Sequence, residues 1–225
     1  MSSVIAMIPA RMGSQRLKKK NLQLLNGIPL IKHSINNAID SGMFDDIFVN
    51  TESKELFEEA QAPEGVYHYW RSESLATSET RSDDVVYDFT YGCCERGVYD
   101  YVVWVNSISP FTDGDTIANF VDSLIHSDYN SMFTVLENQV HTVYDGDPVN
   151  YDESGKFALT QDLNPTYTFT YSLMGWKIRP MEDQYQKTNE CFFVPKVGYY
   201  AVPKINSIIV KTKEDLELCE RIMKR

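Results

Sequence analysis

The sequence lacks any apolar run long enough to span a bilayer, and no secretory signal peptide is visible at its start. It also has only four cysteines, Cys93, Cys94, Cys191 and Cys219, whose spacing matches no zinc-ligand pattern. Adjacent cysteines rarely pair with each other, and reduced thiols are typical of intracellular proteins. We therefore expect a cytoplasmic protein with no membrane partner.

Positive charge is scarce as well. The chain carries 21 lysines and arginines against 32 aspartates and glutamates, which gives a formal net charge of -11 at pH 7. Such an acidic chain is poorly suited to general nucleic-acid binding, so nucleic acid is not an expected partner. If the protein binds an anion, it must concentrate its few cations at the binding site.

The cations are in fact concentrated near the start of the chain. An apolar run from Val4 to Ile8 predicts a buried strand, and Pro9 should end it because proline cannot donate to a β-ladder. The following loop contains two small residues and five cations: Gly13, Ser14, Arg11, Arg16, Lys18, Lys19 and Lys20. Backbone N–H groups at small residues can approach phosphates, and arginine binds them bidentately. The loop therefore indicates a polyanion site, with an ordinary basic surface loop as the alternative.

The order of residues in this loop is similar to a family signature. The cytidylyltransferases that activate acidic sugars, the CMP-sialic acid and CMP-KDO synthetases, share the pattern I-P-A-R-x-G-S-K-R-L-P-x-K-N. The matching residues here are Ile8, Pro9, Ala10, Arg11, Gly13, Ser14, Arg16, Leu17, Lys20 and Asn21. Gln15 stands where the pattern has lysine, and Lys18 stands where it has proline. No G-K-[ST] follows, so the loop is not a P-loop.

The resemblance implies roles for individual residues. Those expected to hold the phosphates of CTP are Arg11, Gly13, Ser14, Arg16 and Lys20, and Arg11, Arg16 and Lys20 are also expected to act in catalysis. Asn21, Arg71 and Ser82 are expected to hold the base and ribose, and Ala10 and Asn106 complete the nucleotide-binding set. Arg71 and Ser82 match the family's R-x-x-x-L-A-x-D segment and a serine after it. From the residues alone, the same segment is equally typical of a capped loop before a helix.

Strands and helices alternate along the first half of the chain. Apolar runs predict strands at Asp45–Thr51, Val66–Trp70 and Tyr99–Asn106, and helical spacing predicts helices at 29–39, 53–60 and 116–125. This alternation favours an α/β fold, with Tyr99–Asn106 as its central parallel strand. The resemblance implies a Rossmann-like, GT-A-like nucleotidyltransferase fold of three layers, with a mostly parallel sheet. We expect residues 1–225 to form a single nucleotidyltransferase domain with an inserted dimerisation hairpin.

The inserted hairpin is expected at about residues 140–171. Turn signals at Asp145–Pro148 and Glu153–Lys156 predict short strands around them. The segment contains many aromatic residues, Tyr144, Tyr151, Phe157, Tyr167, Phe169 and Tyr171. A small hairpin cannot bury so many rings by itself, and aromatic residues are enriched at interfaces. The resemblance implies a homodimer joined through this segment, and the alternative is packing of the rings onto their own domain.

The last motif differs from the family at two positions. The family pattern S-I-D-I-D-T-x-x-D-L is matched by Ser207, Ile208, Thr212, Asp215 and Leu216. The resemblance implies Mg²⁺ bound by the first two aspartates of the pattern, which here are Ile209 and Lys211. An ammonium repels a divalent cation, so the sequence assigns no metal ligand. Either the Lys211 ammonium partly replaces the metal as a fixed cation on the phosphates, or the catalytic step is impaired and only nucleotide binding remains. A single charge in place of a double one stabilises the transition state less, so we expect slow or absent turnover, with CTP binding that depends on Lys211 and little on Mg²⁺.

The resemblance implies transfer of CMP from CTP to an acidic sugar of the nonulosonic type, with release of pyrophosphate. CTP and such a sugar are therefore the expected partners. The basic residues with which the family holds the sugar carboxylate have no equivalent between Tyr167 and Leu173. Two alternatives stay open: a nucleotide-binding homologue whose catalysis is impaired, and a nucleotidyltransferase for a phosphonate or phosphate acceptor.

Overall fold

The computed structural model describes residues 2–93 and 99–224. Its strands are β1 (Val4–Pro9), β2 (Leu24–Leu25), β3 (Ile28–Pro29), β4 (Asp46–Thr51), β5 (Val66–Trp70), β6 (Tyr101–Val105), β7 (Ser131–Asn138), β8 (Val143–Tyr144), β9 (Asp147–Pro148), β10 (Thr166–Lys177) and β11 (Val197–Ala201). Its helices are α1 (Leu30–Asp40), α2 (Lys54–Glu59), α3 (Ser82–Cys93), α4 (Gly114–His126), α5 (Ile178–Thr188) and α6 (Lys213–Met223). The fold is thus of the α/β class, as predicted.

A seven-stranded sheet in the order β11-β7-β10-β6-β1-β4-β5 forms the middle layer. All neighbouring strands are parallel except β10, which is antiparallel to both β6 and β7. The central position of β6 and the mostly parallel sheet are confirmed, and β6 is parallel to β1 on one side and antiparallel to β10 on the other. Parallel neighbours require a crossover connection, which is usually an α-helix. Residues 139–165, which join β7 to β10, contain no α-helix, and β10 pairs with β7 in the antiparallel direction.

The side chains of β1 show how the three layers are built. Val4, Ala6 and Ile8 pack in one cluster with residues of α1, α2 and α4. Ile5 and Met7, which alternate with them, pack in a second cluster with residues of α3 and α5. Successive side chains of a strand point to opposite faces, so a strand that is apolar throughout must be covered on both. This arrangement confirms the three-layer fold.

The carboxyl-terminal half differs most from the sequence-based expectation. Strand β10 is continuous over twelve residues, with a register shift between Phe169 and Met174. Within this bulge Tyr171 has a left-handed backbone with φ of 58°. Helix α5 begins at Ile178, directly after the strand, and was not predicted. Its apolar residues Ile178 and Met181 are buried, but its many polar residues conceal the helical pattern in the sequence.

The inserted segment contains a very small hairpin. Strands β8 and β9 pair around Asp145 and Gly146, whose positive φ angles of 49° and 92° are typical of a tight two-residue hairpin turn. The turn is therefore shorter than the predicted Asp145–Pro148, and residues 149–165 form no strand. Tyr144 and Phe157 are 79% and 82% exposed. These two rings are not buried against their own domain.

Among the helices of residues 2–93 and 99–224, none is both long and apolar enough to cross a bilayer. Cys93, Cys191 and Cys219 are buried, and Cys94 lies outside the described residues.

Candidate functional site

A cavity of about 530 Å³ lies at the carboxyl ends of β1 and β6, the edge where open α/β sheets bind ligands. Its wall includes these predicted site residues: Ala10, Arg11, Ser14, Arg16, Lys20, Asn21, Arg71, Ser82 and Asn106. Gly13 belongs to the same loop but is not on the wall, and Lys211 lies in a neighbouring cleft. The fold therefore brings almost all of the predicted site residues to one place.

The cationic loop after β1 is held in position by Asn21. This residue is buried, and its Nδ2 donates to the backbone oxygen of Arg11 at 3.1 Å. The hydroxyl of Ser107 lies 3.0 Å from Asn21 Oδ1 and 2.8 Å from the backbone oxygen of Pro9. Both ends of the Asn21 amide are thus occupied by the chain itself, so Asn21 positions the loop against the end of β6.

Arg71 and Glu52 form a second support beneath the loop. Arg71 Nη2 donates to the backbone oxygen of Ala10 at 2.9 Å and to Glu52 Oε2 at 3.2 Å. The other oxygen of Glu52 accepts from the backbone N–H of Met12 at 2.8 Å. The two side chains are only 5% and 14% exposed. Burial lowers the pKa of Arg71, and the carboxylate of Glu52 opposes this effect.

The cavity wall is positively charged. Arg11, Arg16 and Lys20 lie on it, whereas no aspartate or glutamate of the described residues does. Arg11 Nη1 donates to the backbone oxygen of Thr77 on the opposite side of the cavity. Lys19 instead points to Glu55 of α2, with which it forms an exposed ion pair. An uncompensated group of cations in an acidic protein is suited to an anionic ligand.

The concentration of positive charge affects the pKa of Lys20. Its pKa is lowered to about 8, first by burial and then by the positive charges of nearby cations. Those cations are Arg16, Arg11 and Lys211. Lys211 is therefore close enough to act electrostatically on the loop, although it does not line the same cavity.

Asn106 follows β6 and is anchored to the bulge of β10. Its Nδ2 donates to the backbone oxygen of Tyr171 at 2.9 Å, and its Oδ1 accepts from the backbone N–H of Ile108 at 3.4 Å. The left-handed backbone of Tyr171 lies at this contact, so the strained residue and the site are adjacent.

Asp215, which lines the same cleft as Lys211, and Asp113, at the start of α4, do not fit a protein-held Mg²⁺. Asp215 accepts from the backbone N–H groups of Lys211 and Thr212, both at 2.8 Å, and caps α6. Asp113 accepts from the backbone N–H of Thr116 and from the side chain of Asn206, and caps α4. Within the described ranges, no group of three histidines, cysteines or acidic residues could hold a metal ion. The available carboxylates serve helix ends instead.

Sequence reasoning missed several residues of the site. Glu52 is the most important of them, and Thr77, Thr80 and Trp104 also line or support the cavity. Glu52 directly follows β4, which pairs in parallel with β1. The carboxyl ends of neighbouring parallel strands meet at one edge of the sheet. The position of Glu52 directly after a predicted strand could therefore have indicated that it belongs to the site.

Comparison with known proteins agrees with this geometry. A family model described as cytidylyltransferase matches residues 5–166. The N-acylneuraminate cytidylyltransferase of Streptococcus agalactiae serotype V is 31% identical over 228 residues, covering 94% of this chain and 51% of that protein. The CMP-N,N'-diacetyllegionaminic acid synthase of Legionella pneumophila is 37% identical over 120 residues, covering 53% of this chain and 52% of that protein. The chain thus spans about half the length of these curated relatives.

The fold is also shared with solved structures. The 4-diphosphocytidyl-2C-methyl-D-erythritol synthase of Anaerococcus prevotii superposes with a TM-score of 0.71 at 12% sequence identity, covering 100% of this chain and 97% of that chain. At this identity the likeness supports the architecture alone. The family model, in contrast, covers well over half of the sequence and includes the whole cationic loop. This chain therefore belongs to the cytidylyltransferase family.

Proposed function

We propose that the chain transfers CMP from CTP to a hydroxyl group of an acidic sugar of the nonulosonic type and releases pyrophosphate. The observation that carries the proposal is the cavity at the strand ends, with four cations, Arg11, Arg16, Lys20 and Arg71, and no carboxylate of the described residues on its wall. The names of the two curated relatives support the class of sugar. Because CTP is an intracellular nucleotide, we also propose a cytoplasmic location.

The reaction needs orientation and charge stabilisation more than covalent chemistry. The sugar hydroxyl attacks the α-phosphorus of CTP and forms a new P–O bond. The bond to the β-phosphate breaks, pyrophosphate leaves with its electron pair, and the hydroxyl proton passes to solvent. Arg11, Arg16 and Lys20 bind the triphosphate and stabilise the negative charge that develops on the leaving group. Arg71 and Asn21 hold the loop in the required position.

A pyrophosphate-release assay tests this function. CTP is supplied with N-acetylneuraminic, legionaminic, pseudaminic and 3-deoxy-manno-octulosonic acids, and UTP serves as the nucleotide control. We expect turnover with CTP and at least one nine-carbon acid. CTP binding without turnover on any acceptor would indicate an impaired nucleotide-binding homologue. If turnover occurs only when phosphonate or phosphate acceptors are supplied instead, the chain is a nucleotidyltransferase for such acceptors.

CTP binding should depend on the protonation of Lys20. Its pKa is about 8 in the free protein, and a bound triphosphate raises the pKa because it stabilises the ammonium. The complex therefore holds more protons than the free protein above pH 8, so affinity falls as pH rises. We expect a loss of about tenfold between pH 7 and pH 9, measured by calorimetry. Lys20→Arg should bind CTP with little pH dependence over this range, since arginine stays charged; the same slope in that variant would contradict the assignment.

We further propose that CTP binding needs no Mg²⁺ held by the protein. The wall is cationic, and the carboxylate that lies beside Lys211, that of Asp215, caps α6. Titrating CTP with and without a chelator should give similar affinities, whereas Lys211→Ala should weaken binding because Lys211 contributes positive charge near Lys20. A strong loss on chelation, with no effect of the substitution, would place a metal site elsewhere.

We also propose a homodimer joined through residues 140–171. Tyr144, Phe157 and Tyr167 are all more than half exposed in the single chain. Large exposed aromatic side chains are typical of interface cores. Light scattering at micromolar concentration should give twice the monomer mass, and Phe157→Asp should shift the mass towards the monomer. A monomer mass for the wild type would contradict the proposal.

A further inference from the structure

A cleft of about 370 Å³ lies beside the nucleotide cavity, between β7, β10 and the segment that leads into α6. Thr168, Thr170 and Tyr171 form its β10 wall, and Lys211 faces them. Tyr171 also borders a third cleft, which in turn shares Ser82 with the nucleotide cavity. The three depressions therefore adjoin one another, and the cleft that contains Lys211 lies within reach of the nucleotide.

Lys211 brings an unused positive charge into this cleft. In the part of the chain that the structure describes, its ammonium forms no ion pair. The nearest carboxylate, Asp215, accepts from the backbone N–H groups of Lys211 and Thr212. The charge of Lys211 also lowers the pKa of Lys20, which places the two ammonium groups near each other. Lys211 thus lines the cleft and acts electrostatically on the phosphate-binding loop.

The third cleft has a cation too, but its charge is compensated. Arg81 forms an ion pair with Asp83 at 3.5 Å and donates to the backbone oxygen of Asn189 at 2.6 Å. Asp83, Asp84 and Glu190 together raise the pKa of Arg81. A second anion would therefore have to compete with an ion-paired carboxylate at Arg81. At Lys211 the neighbouring carboxylate is that of Asp215, which lines the same cleft but accepts from two backbone N–H groups and forms no ion pair with Lys211 among the described residues.

The chemistry of the acceptor makes Lys211 the more suitable partner. In a nonulosonic acid the carboxylate is attached to the same carbon as the hydroxyl that attacks CTP. The group that binds the carboxylate must therefore lie near the α-phosphate. A lysine ammonium has three donors and can face a phosphate and a carboxylate together. We propose that Lys211 binds the carboxylate of the acceptor sugar and thereby selects acidic sugars, an inference that rests on the proposed function.

The experiment compares an acidic acceptor with its uncharged counterpart. The probe is N-acetylneuraminic acid, or whichever acid of the panel has the highest kcat/KM, together with its C1 carboxamide. The variants are wild type, Lys211→Ala, Lys211→Arg and, as a control, Lys213→Ala. Lys213 lies two residues away, is exposed and pairs with Glu217 on α6. Pyrophosphate release is measured at saturating CTP, so that changes in CTP affinity do not enter the comparison.

We expect the wild type to prefer the acid over the amide by about tenfold to a hundredfold in kcat/KM, and Lys211→Ala to lose this preference through a higher KM for the acid. Lys211→Arg should retain part of the preference, and Lys213→Ala all of it. An undiminished preference in Lys211→Ala would overturn this inference while the proposed function stands. No turnover by the wild type with any acid would overturn the proposed function and, with it, this inference.

Discussion

Replacing Glu52 by alanine should destabilise the protein by about 3–5 kcal/mol, because it leaves Arg71 as an uncompensated buried charge. The two side chains are 14% and 5% exposed, so water cannot solvate the guanidinium in place of the carboxylate. The backbone N–H of Met12 also loses its acceptor. Urea denaturation measures the loss as a lower transition midpoint at unchanged slope.

Glu55→Ala is the matched control for this prediction. Glu55 forms an ion pair with Lys19 only three residues along the chain, but both side chains are about half exposed. Surface ion pairs of this kind contribute about 0–1 kcal/mol. Similar stabilities for the two variants would show that the pair of Glu52 and Arg71 does not support the loop. Glu52→Gln keeps one acceptor oxygen and replaces the other by an NH2 donor, so it can satisfy either Arg71 or the Met12 N–H and should lie between the wild type and Glu52→Ala.

Arg16→Ala should weaken CTP binding by about tenfold or more, since a hydrogen bond to a charged group contributes about 1.5–3 kcal/mol. Arg16 is exposed on the wall of the cavity, so its loss should affect the ligand far more than the fold. Calorimetry gives the affinity, and thermal unfolding verifies that the variant is folded.

Lys18→Ala distinguishes a specific contact from general electrostatic attraction. Lys18 lies in the same loop and is exposed, but it is not on the cavity wall. If both substitutions reduce the affinity equally, the loop acts only through its net charge. If Arg16→Ala binds CTP as the wild type does, with an unchanged unfolding transition, the assignment of Arg16 to the phosphates is wrong.

The sequence by itself determined the local elements and the cationic loop. Strands such as β4 and β5 were predicted within one residue, because apolar runs and the residues that end them are adjacent in the chain. The same holds for the helix predicted at 53–60, since the hydroxyl of Ser53 accepts from the backbone N–H of Leu56 and caps α2. The candidate site could also be predicted from the sequence, because Arg11, Arg16 and Lys20 lie close together in one loop of the chain.

Only the tertiary structure decided which distant residues meet. Glu52 and Arg71 are 19 residues apart, and their ion pair exists because β4 and β5 end at the same edge of the sheet. The antiparallel direction of β10 depends on the path of the inserted segment between β7 and β10. The local periodicity of the sequence does not encode that path.

The position of Lys211 is the third such case. It follows from the packing of α6 against the loop after β6, where the backbone N–H of Val210 donates to the backbone oxygen of Ile108 at 2.9 Å. In the sequence, Lys211 is a cation where the family has an aspartate. In the structure it lines the cleft beside the nucleotide cavity and forms no ion pair within residues 2–93 and 99–224, while the neighbouring carboxylate of Asp215 caps a helix. Long-range packing determines which charges remain free, and a linear pattern does not contain that information.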